Sequence, residues 1–335
     1  MRPAPAPWKR PLLWLLWAGL GLQAQELSVS GGYLTAETFR KYYPAWQVDY
    51  LQDFNKNFMG SIAYVNEGHR PGHHRDGTAT ELWFRLPAAE GKLAFALGAG
   101  VYDSYDTQPA ASGGSVNVHA TFPIFSASAT GFLSNRIFYR VSVNQIVPAH
   151  APSVTTGMLG AGVWFGRNEK PTPGEMGHAP AEKGYVTEKE VSLAVGQSVV
   201  NTLFSQQARA YASEFRRGLG NHIDGTVALI YEGDPEIVRR SGFALQAWAV
   251  NTFFSERVSL GLGVGPYLYI DRKHPRDGNP RSNAALAPLV SLTFAVRMAE
   301  HWLTRVTWHR VTSSYNRDSD IFLWGLGYHW GRDDD

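Results

Sequence analysis

The sequence predicts an all-β fold whose antiparallel strands close into barrel walls, and three observations carry that prediction. Stretches of about ten residues alternate with a period of two: Leu93, Phe95, Leu97, Ala99 and Val101 form an apolar face against small Ala94, Ala96, Gly98 and Gly100. Phe322, Trp324, Leu326, Tyr328 and Trp330 alternate in the same way with Ile321, Leu323, Gly325, Gly327 and His329. The chain also repeats itself: Trp83 and Trp248, Tyr102 and Tyr267, Asp106 and Asp271, Gly68 and Gly233, and Arg140 and Arg305 all stand 165 residues apart within matching segments. Finally, the connections between strands are short and long by turns, which places them at opposite ends of a barrel.

The elements follow in order. Met1 to Pro11 is short and basic, and Leu12 to Leu22 is an apolar run of eleven, so residues 1–24 read as a secretory signal peptide cut after Ala24. That run is too short to cross a bilayer as a helix. The first repeat spans 25–166, with strands expected near 26–33, 44–54, 57–66, 77–86, 91–104, 115–130, 134–145 and 153–165. Thr38–Tyr43 is the one stretch read as a short helix. Residues 55–56, 87–90 and 131–133 are the short turns, whereas 34–43, 67–76, 105–114 and 146–152 are longer and polar. Residues 167–189, rich in Pro, Gly and charge, form a linker. The second repeat spans 190–331, and 332–335 is an acidic tail. Starting in the periplasm, every long connection falls outside the cell and the linker stays in the periplasm.

Composition narrows the function. With 44% hydrophobic, 18% charged and 13% aromatic residues the chain is not a disordered one. It has no cysteine, which removes disulfide scaffolds, thiol catalysis and thiolate metal sites. Without Arg2, Lys9 and Arg10 the 31 positive side chains fall to 28 against 29 negatives, so the exported part carries no footprint for nucleic acid. No nucleotide-binding or zinc-protease motif is present, and no cofactor is expected.

Over its exported length the chain resembles the Gram-negative outer-membrane β-barrel proteins. The closing Gly325-Leu-Gly-Tyr-His-Trp330 looks like their C-terminal assembly signal, here followed by Gly331-Arg-Asp-Asp-Asp335. The resemblance implies a place in the outer membrane, lipid and lipopolysaccharide around the barrel, and delivery by the outer-membrane assembly machinery. It names no periplasmic partner. Two tandem eight-stranded repeats can close as one sixteen-stranded barrel or as two small ones. The expectation favours sixteen strands, since extra strands widen the lumen toward an aqueous channel. The matching function is a passive, porin-like pore for polar solutes or an exported polymer such as a polysaccharide. By strand phase, Glu81, Trp83, Arg85, Arg140, Gln246, Trp248, Arg305 and His309 face inward and would line that pore. The alternatives are a non-conducting structural or surface-binding barrel and a lipid-modifying hydrolase.

Two clusters could carry chemistry. His69, His73 and His74, with Glu67 and Asp76, supply imidazole and carboxylate ligands on one loop, although their spacing matches no closed zinc motif and the duplicate loop has no histidine. His309, Ser314 and Asp320 are faintly similar to the His/Ser/acid region of lipid A deacylases of the PagL type, which would suit ester hydrolysis. Here Val311 stands where that family has its serine, and the alternation sends His309 inward.

Overall fold

The computed structural model describes residues 25–36, 39–70, 73–111, 113–133, 137–148, 153–164, 189–220, 222–253, 256–273 and 284–330. The predicted signal peptide, the acidic tail and all of the linker but Lys189, the first residue of β9, lie outside them. The chain divides into two compact units.

The first unit contains β1 (Gln25–Ala36), β2 (Phe39–Asp53), β3 (Phe58–Arg70), β4 (His73–Ala88), β5 (Leu93–Pro109), β6 (Ser115–Phe132), β7 (Ile137–Ile146) and β8 (Val154–Trp164). Each strand pairs antiparallel with the next, and β8 returns to β1, from Glu26 opposite Trp164 to Ala36 opposite Val154. The second unit contains β9 (Lys189–Val200), β10 (Gln206–Gly220), β11 (Ile223–Tyr231), β12 (Arg240–Phe253), β13 (Val258–Asp271), β14 (Ala284–Arg297), β15 (Trp302–Val311) and β16 (Ser319–Trp330). There β16 closes on β9, from Ser319 opposite Val200 to Trp330 opposite Lys189.

The sixteen-stranded closure is therefore corrected: each repeat is a closed eight-stranded barrel of its own. Eight strands leave an interior that side chains can fill. The small inward residues make room for large side chains, as Gly98 does for Trp83 and Gly263 for Trp248. The eight strands expected in the first repeat all form, and β1 to β6 are longer than expected. β3 continues to Arg70 and β5 to Pro109, because polar residues ladder as well as apolar ones once the backbone is extended. Residues 39–43 are strand rather than helix, with Tyr43 opposite Leu34, as suits their aromatic and β-pairing character.

Alternation builds both faces. Outward side chains such as Leu97, Leu159, Leu193 and Leu229 are more than 60% exposed, while the inward neighbours of each are small or buried. At the end of the first barrel that carries the long connections, Leu34, Val65, Tyr102, Ile124, Ile146 and Met158 pack as an apolar layer. Ile230, Tyr267, Tyr269, Leu289, Val311 and Ile321 form the corresponding layer of the second barrel. Toward the short-turn ends the interiors become polar and charged.

Candidate functional site

Two kinds of site exist in each barrel: a charged interior near the short turns and a latch at the loop end. The latch recurs at the 165-residue offset, and the charged interior recurs in part.

At the short-turn end of the first barrel, Glu26 on β1 accepts from two guanidiniums, Arg85 at 2.8 Å and Arg140. Arg85 also binds Asp53 at 2.8 Å, and Arg140 Nε donates to Thr130 at 3.0 Å. In the second barrel Arg305 binds both oxygens of Glu190 at 2.8 and 3.0 Å, and its Nη1 donates to Thr293 at 3.2 Å. The second arginine has changed strands. Val250 occupies the place of Arg85, and Arg216 on β10 instead meets Glu214 at 3.0 Å and Asp224 at 3.4 Å. Its guanidinium also stacks 4.3 Å over the ring of Trp248. A buried pair is tolerated when its remaining hydrogen-bond sites are also filled, and the hydroxyls of Thr130 and Thr293 serve that need.

Above these pairs lie the two tryptophans. Trp83 Nε1 donates to Ser61 Oγ and Trp248 Nε1 donates to Thr226 Oγ1, each at 2.8 Å. Each indole lies flat against an inward glycine, Gly98 or Gly263, where a Cβ would stand 2.7 or 2.5 Å from the ring. Gln246 Nε2 donates to Ser291 Oγ at 2.9 Å, and that hydroxyl is 2.6 Å from His309 Nδ1.

The eight residues assigned to a pore lining therefore all point inward, four in each barrel, and all are buried. Trp83, Arg85, Arg140, Gln246, Trp248, Arg305 and His309 each hydrogen-bond to a side chain of another strand. Two cavities of the second barrel, one beside His309 and Glu214 and one beside Glu190 and Arg216, each measure about 20 Å³, room for a water or two.

At the loop ends, Arg75 Nη2 donates to Glu67 at 2.5 Å and Arg240 Nη2 donates to Glu232 at 2.6 Å. Each carboxylate immediately precedes a glycine of positive φ, Gly68 or Gly233. Arg240 further donates to Ser319 Oγ at 2.6 Å and to the Arg317 carbonyl at 2.7 Å, tying the β15–β16 loop to β12. Tyr315, on that loop, donates to Asp271 at 2.8 Å, and burial pushes its phenol well above the usual range. In the first barrel His73 Nδ1 lies 2.9 Å from Asp106 in the matching place. Farther out, a hydrogen bond from the Lys273 ammonium, 2.6 Å away, holds the exposed Asp234 carboxyl below its usual range.

Neither chemical cluster assembles. His73 and His74 are successive residues of β4 and project to opposite faces of the wall, and the side chain of His69 lies outside the described residues. Among the described residues no group of three His, Asp or Glu comes together. His309 faces inward to Ser291, whereas Asp320 lies on the other face, where it accepts from Arg310 at 2.6 Å and Trp308 at 2.9 Å. Ser314 is an exposed loop residue. The hydrolase arrangement is thus divided by the barrel wall.

Glu26 and Glu190 carry the interior pairs, yet neither stands out at the 165-residue offset. They are 164 apart, like Val29 and Leu193, because a one-residue shift precedes the longer matches. That shift is the signal which would have found them. Asp53, Arg216 and Asp224 have no counterpart of like charge, so the duplication could not reveal them.

No protein-family model matches the chain, and no curated protein matches it. Its structural neighbours are outer-membrane β-barrels of Gram-negative bacteria. They include the N-terminal β-barrel domain of Pseudomonas aeruginosa OprF, with 14% identity over 43% of this chain and 99% of that one and a TM-score of 0.36. The attachment invasion locus protein Ail of Yersinia pestis, solved with the heparin analogue sucrose octasulfate, has 16% identity over 43% and 99%, TM-score 0.34. Neisserial surface protein A has 10% identity over 42% and 94%, TM-score 0.33.

Proposed function

We propose that this chain is an outer-membrane anchor and surface-presentation protein: two filled barrels sit in the membrane and hold their latched loop ends outside the cell, and neither conducts. The observation that supports this reading is the pairing of charges across both interiors. Arg140 and Arg85 on Glu26, and Arg305 on Glu190, occupy the space through which a solute would pass. The outward belts of leucine and aromatic residues suit lipid contact. The pore and polymer-export readings both need a wide lumen, and an eight-stranded interior this full offers none.

Reconstitution of the full exported chain into planar bilayers is the test. No conductance steps are expected above the bare membrane, and reproducible single-channel steps would overturn the proposal. The orientation has its own test. A cysteine replacing His73 should react with an impermeant maleimide on whole cells, whereas one replacing Pro173 in the linker should react only after permeabilisation. Reversed labelling would invert the barrel ends.

A further inference from the structure

In the second barrel the β12–β13 ladder runs to Arg240 opposite Asp271, and a further backbone bond adds one rung beyond it: Arg272 N–H donates to the Arg239 carbonyl at 3.0 Å. Arg240 and Asp271 point inward and are buried, so alternation turns Arg239 and Arg272 outward, and both are exposed. Two arginines thus stand opposite each other on the outer wall, where facing Cα atoms are about 4.5–5.5 Å apart. Like charges so placed weaken the pairing of their strands. The counter-charge beside them is incomplete. Asp234 lies 3.9 Å from Arg239 Nε but is held more closely by Lys273, at 2.6 Å, and Arg272 makes no ion pair among the described residues. The corresponding rung of the first barrel has no arginine: there His74 lies opposite Thr107, at the same 165-residue offset.

The height of this rung on the wall decides what it meets. Tyr211, Tyr231, Ser241 and Ile270 are successive partners across β10 to β13 and form one outward row. Tyr211 and Tyr231 stack with ring centroids 6.3 Å apart, and both are exposed. On the short-turn side of that row the outward residues are apolar, with Leu229, Phe243, Leu245 and Leu268 all exposed. Tyrosines bordering an apolar band mark a membrane–water interface. Arg239 and Arg272 stand two residues, about 7 Å, farther along their strands. They therefore reach the level of lipid headgroups, beyond the hydrocarbon.

We infer that Arg239 and Arg272 bind the phosphate of one lipid headgroup in the leaflet around the loop end of the second barrel. A guanidinium presents paired N–H donors that match two phosphate oxygens, and a phosphate shared by two of them removes their mutual repulsion. A headgroup whose phosphate carries its own ammonium brings a third cation to the site, so the lipid that fits is one with an uncompensated phosphate. The inference rests on the membrane-spanning reading proposed above, but not on which leaflet the loop ends occupy. Channel activity would defeat the non-conducting reading and leave this site standing, whereas loss of lipid binding would do the opposite.

The test is native mass spectrometry of the full exported chain released from detergent micelles doped with phosphatidic acid or, at the same mole fraction, with phosphatidylcholine of the same acyl chains. The wild type should retain phosphatidic acid and not phosphatidylcholine. Retention should fall about tenfold or more in Arg239→Gln with Arg272→Gln, as expected when charge-assisted hydrogen bonds are lost. Both side chains are exposed, so this double variant should assemble and shift on heating in a gel as the wild type does. Arg217→Gln with Arg257→Gln removes the same charge from exposed positions at the short-turn end and should retain the lipid fully. Excess inorganic phosphate should not displace the lipid, because its acyl chains also lie against the apolar band. Equal retention of the two lipids, equal retention by the Arg239/Arg272 variant, or equal loss in both double variants would overturn the proposal. Displacement by inorganic phosphate would overturn it as well.

Discussion

Replacing Arg140 and Arg305 together by alanine is expected to unfold the protein in urea at a much lower midpoint and to open no channel. Each arginine is buried against a carboxylate, Glu26 or Glu190. Removing one partner strands the other charge in a low-dielectric interior, which costs about 3–5 kcal/mol per pair. The total is a large share of the 5–15 kcal/mol typical of a folded domain. The two halves should not respond equally. Glu26 keeps Arg85 at 2.8 Å when Arg140 is lost, so Arg140→Ala should fall near the lower figure. Glu190 bonds to Arg305 through both oxygens, so Arg305→Ala should approach the upper one. Adding Glu190→Gln to Arg305→Ala should recover part of the loss by removing the stranded charge. Unchanged urea midpoints, with altered ion selectivity, would instead mean that these arginines line water.

The second large effect belongs to Gly98 and Gly263. Replacing either by leucine should abolish or sharply reduce heat-modifiable, assembled protein, while Leu97→Val and Leu262→Val should change it little. A Cβ at Gly98 would sit 2.7 Å from the Trp83 ring, and at Gly263 2.5 Å from that of Trp248. Neither indole can swing away cheaply, since each is fixed by its own hydrogen bond, and Trp248 lies beneath Arg216. Overpacking of this kind costs typically about 1–3 kcal/mol and more when the neighbour cannot yield. Leu97 points out of the barrel, 67% exposed, and Leu262 shares its phase, so trimming a methyl group there belongs with surface changes of about 0.5 kcal/mol. Combining Gly98→Leu with Trp83→Ala should restore assembly in part. Equal gel behaviour of all four single variants would remove the close-approach explanation.

Much of this architecture is legible in the residues. The alternation around Leu93–Tyr102 and Phe322–Trp330 locates strands and their faces, and the offset between Trp83 and Trp248 announces two matching units. Closure is not legible, because the inside–outside alternation of a strand is the same in a barrel of eight or of sixteen. What decides is whether β8 finds β1 or β9, a long-range choice that no local pattern encodes. The inward glycines are legible as places of close approach, and at Gly98 the group that fills the space is the indole of Trp83. The latch at Glu67 and Arg75 could be guessed, since both charges recur at 232 and 240. The interior pairs could not be fully guessed, because Arg85 and Arg216 reach similar depths from different strands, and duplication preserves positions rather than solutions.

The closure itself is the central claim, and the absence of native cysteine makes it directly testable. Val29 faces Ala161 across the β1–β8 seam, and Leu193 faces Leu326 across the β9–β16 seam. Neighbouring antiparallel strands hold their Cα atoms about 4.5–5.5 Å apart, within the range a disulfide bridges. Oxidation of the assembled protein carrying Val29→Cys with Ala161→Cys, or Leu193→Cys with Leu326→Cys, should therefore yield intramolecular disulfides in both cases. Failure of both seam pairs, together with cross-linking of Val29→Cys to Leu326→Cys, would place β1 beside β16 and contradict two separate barrels.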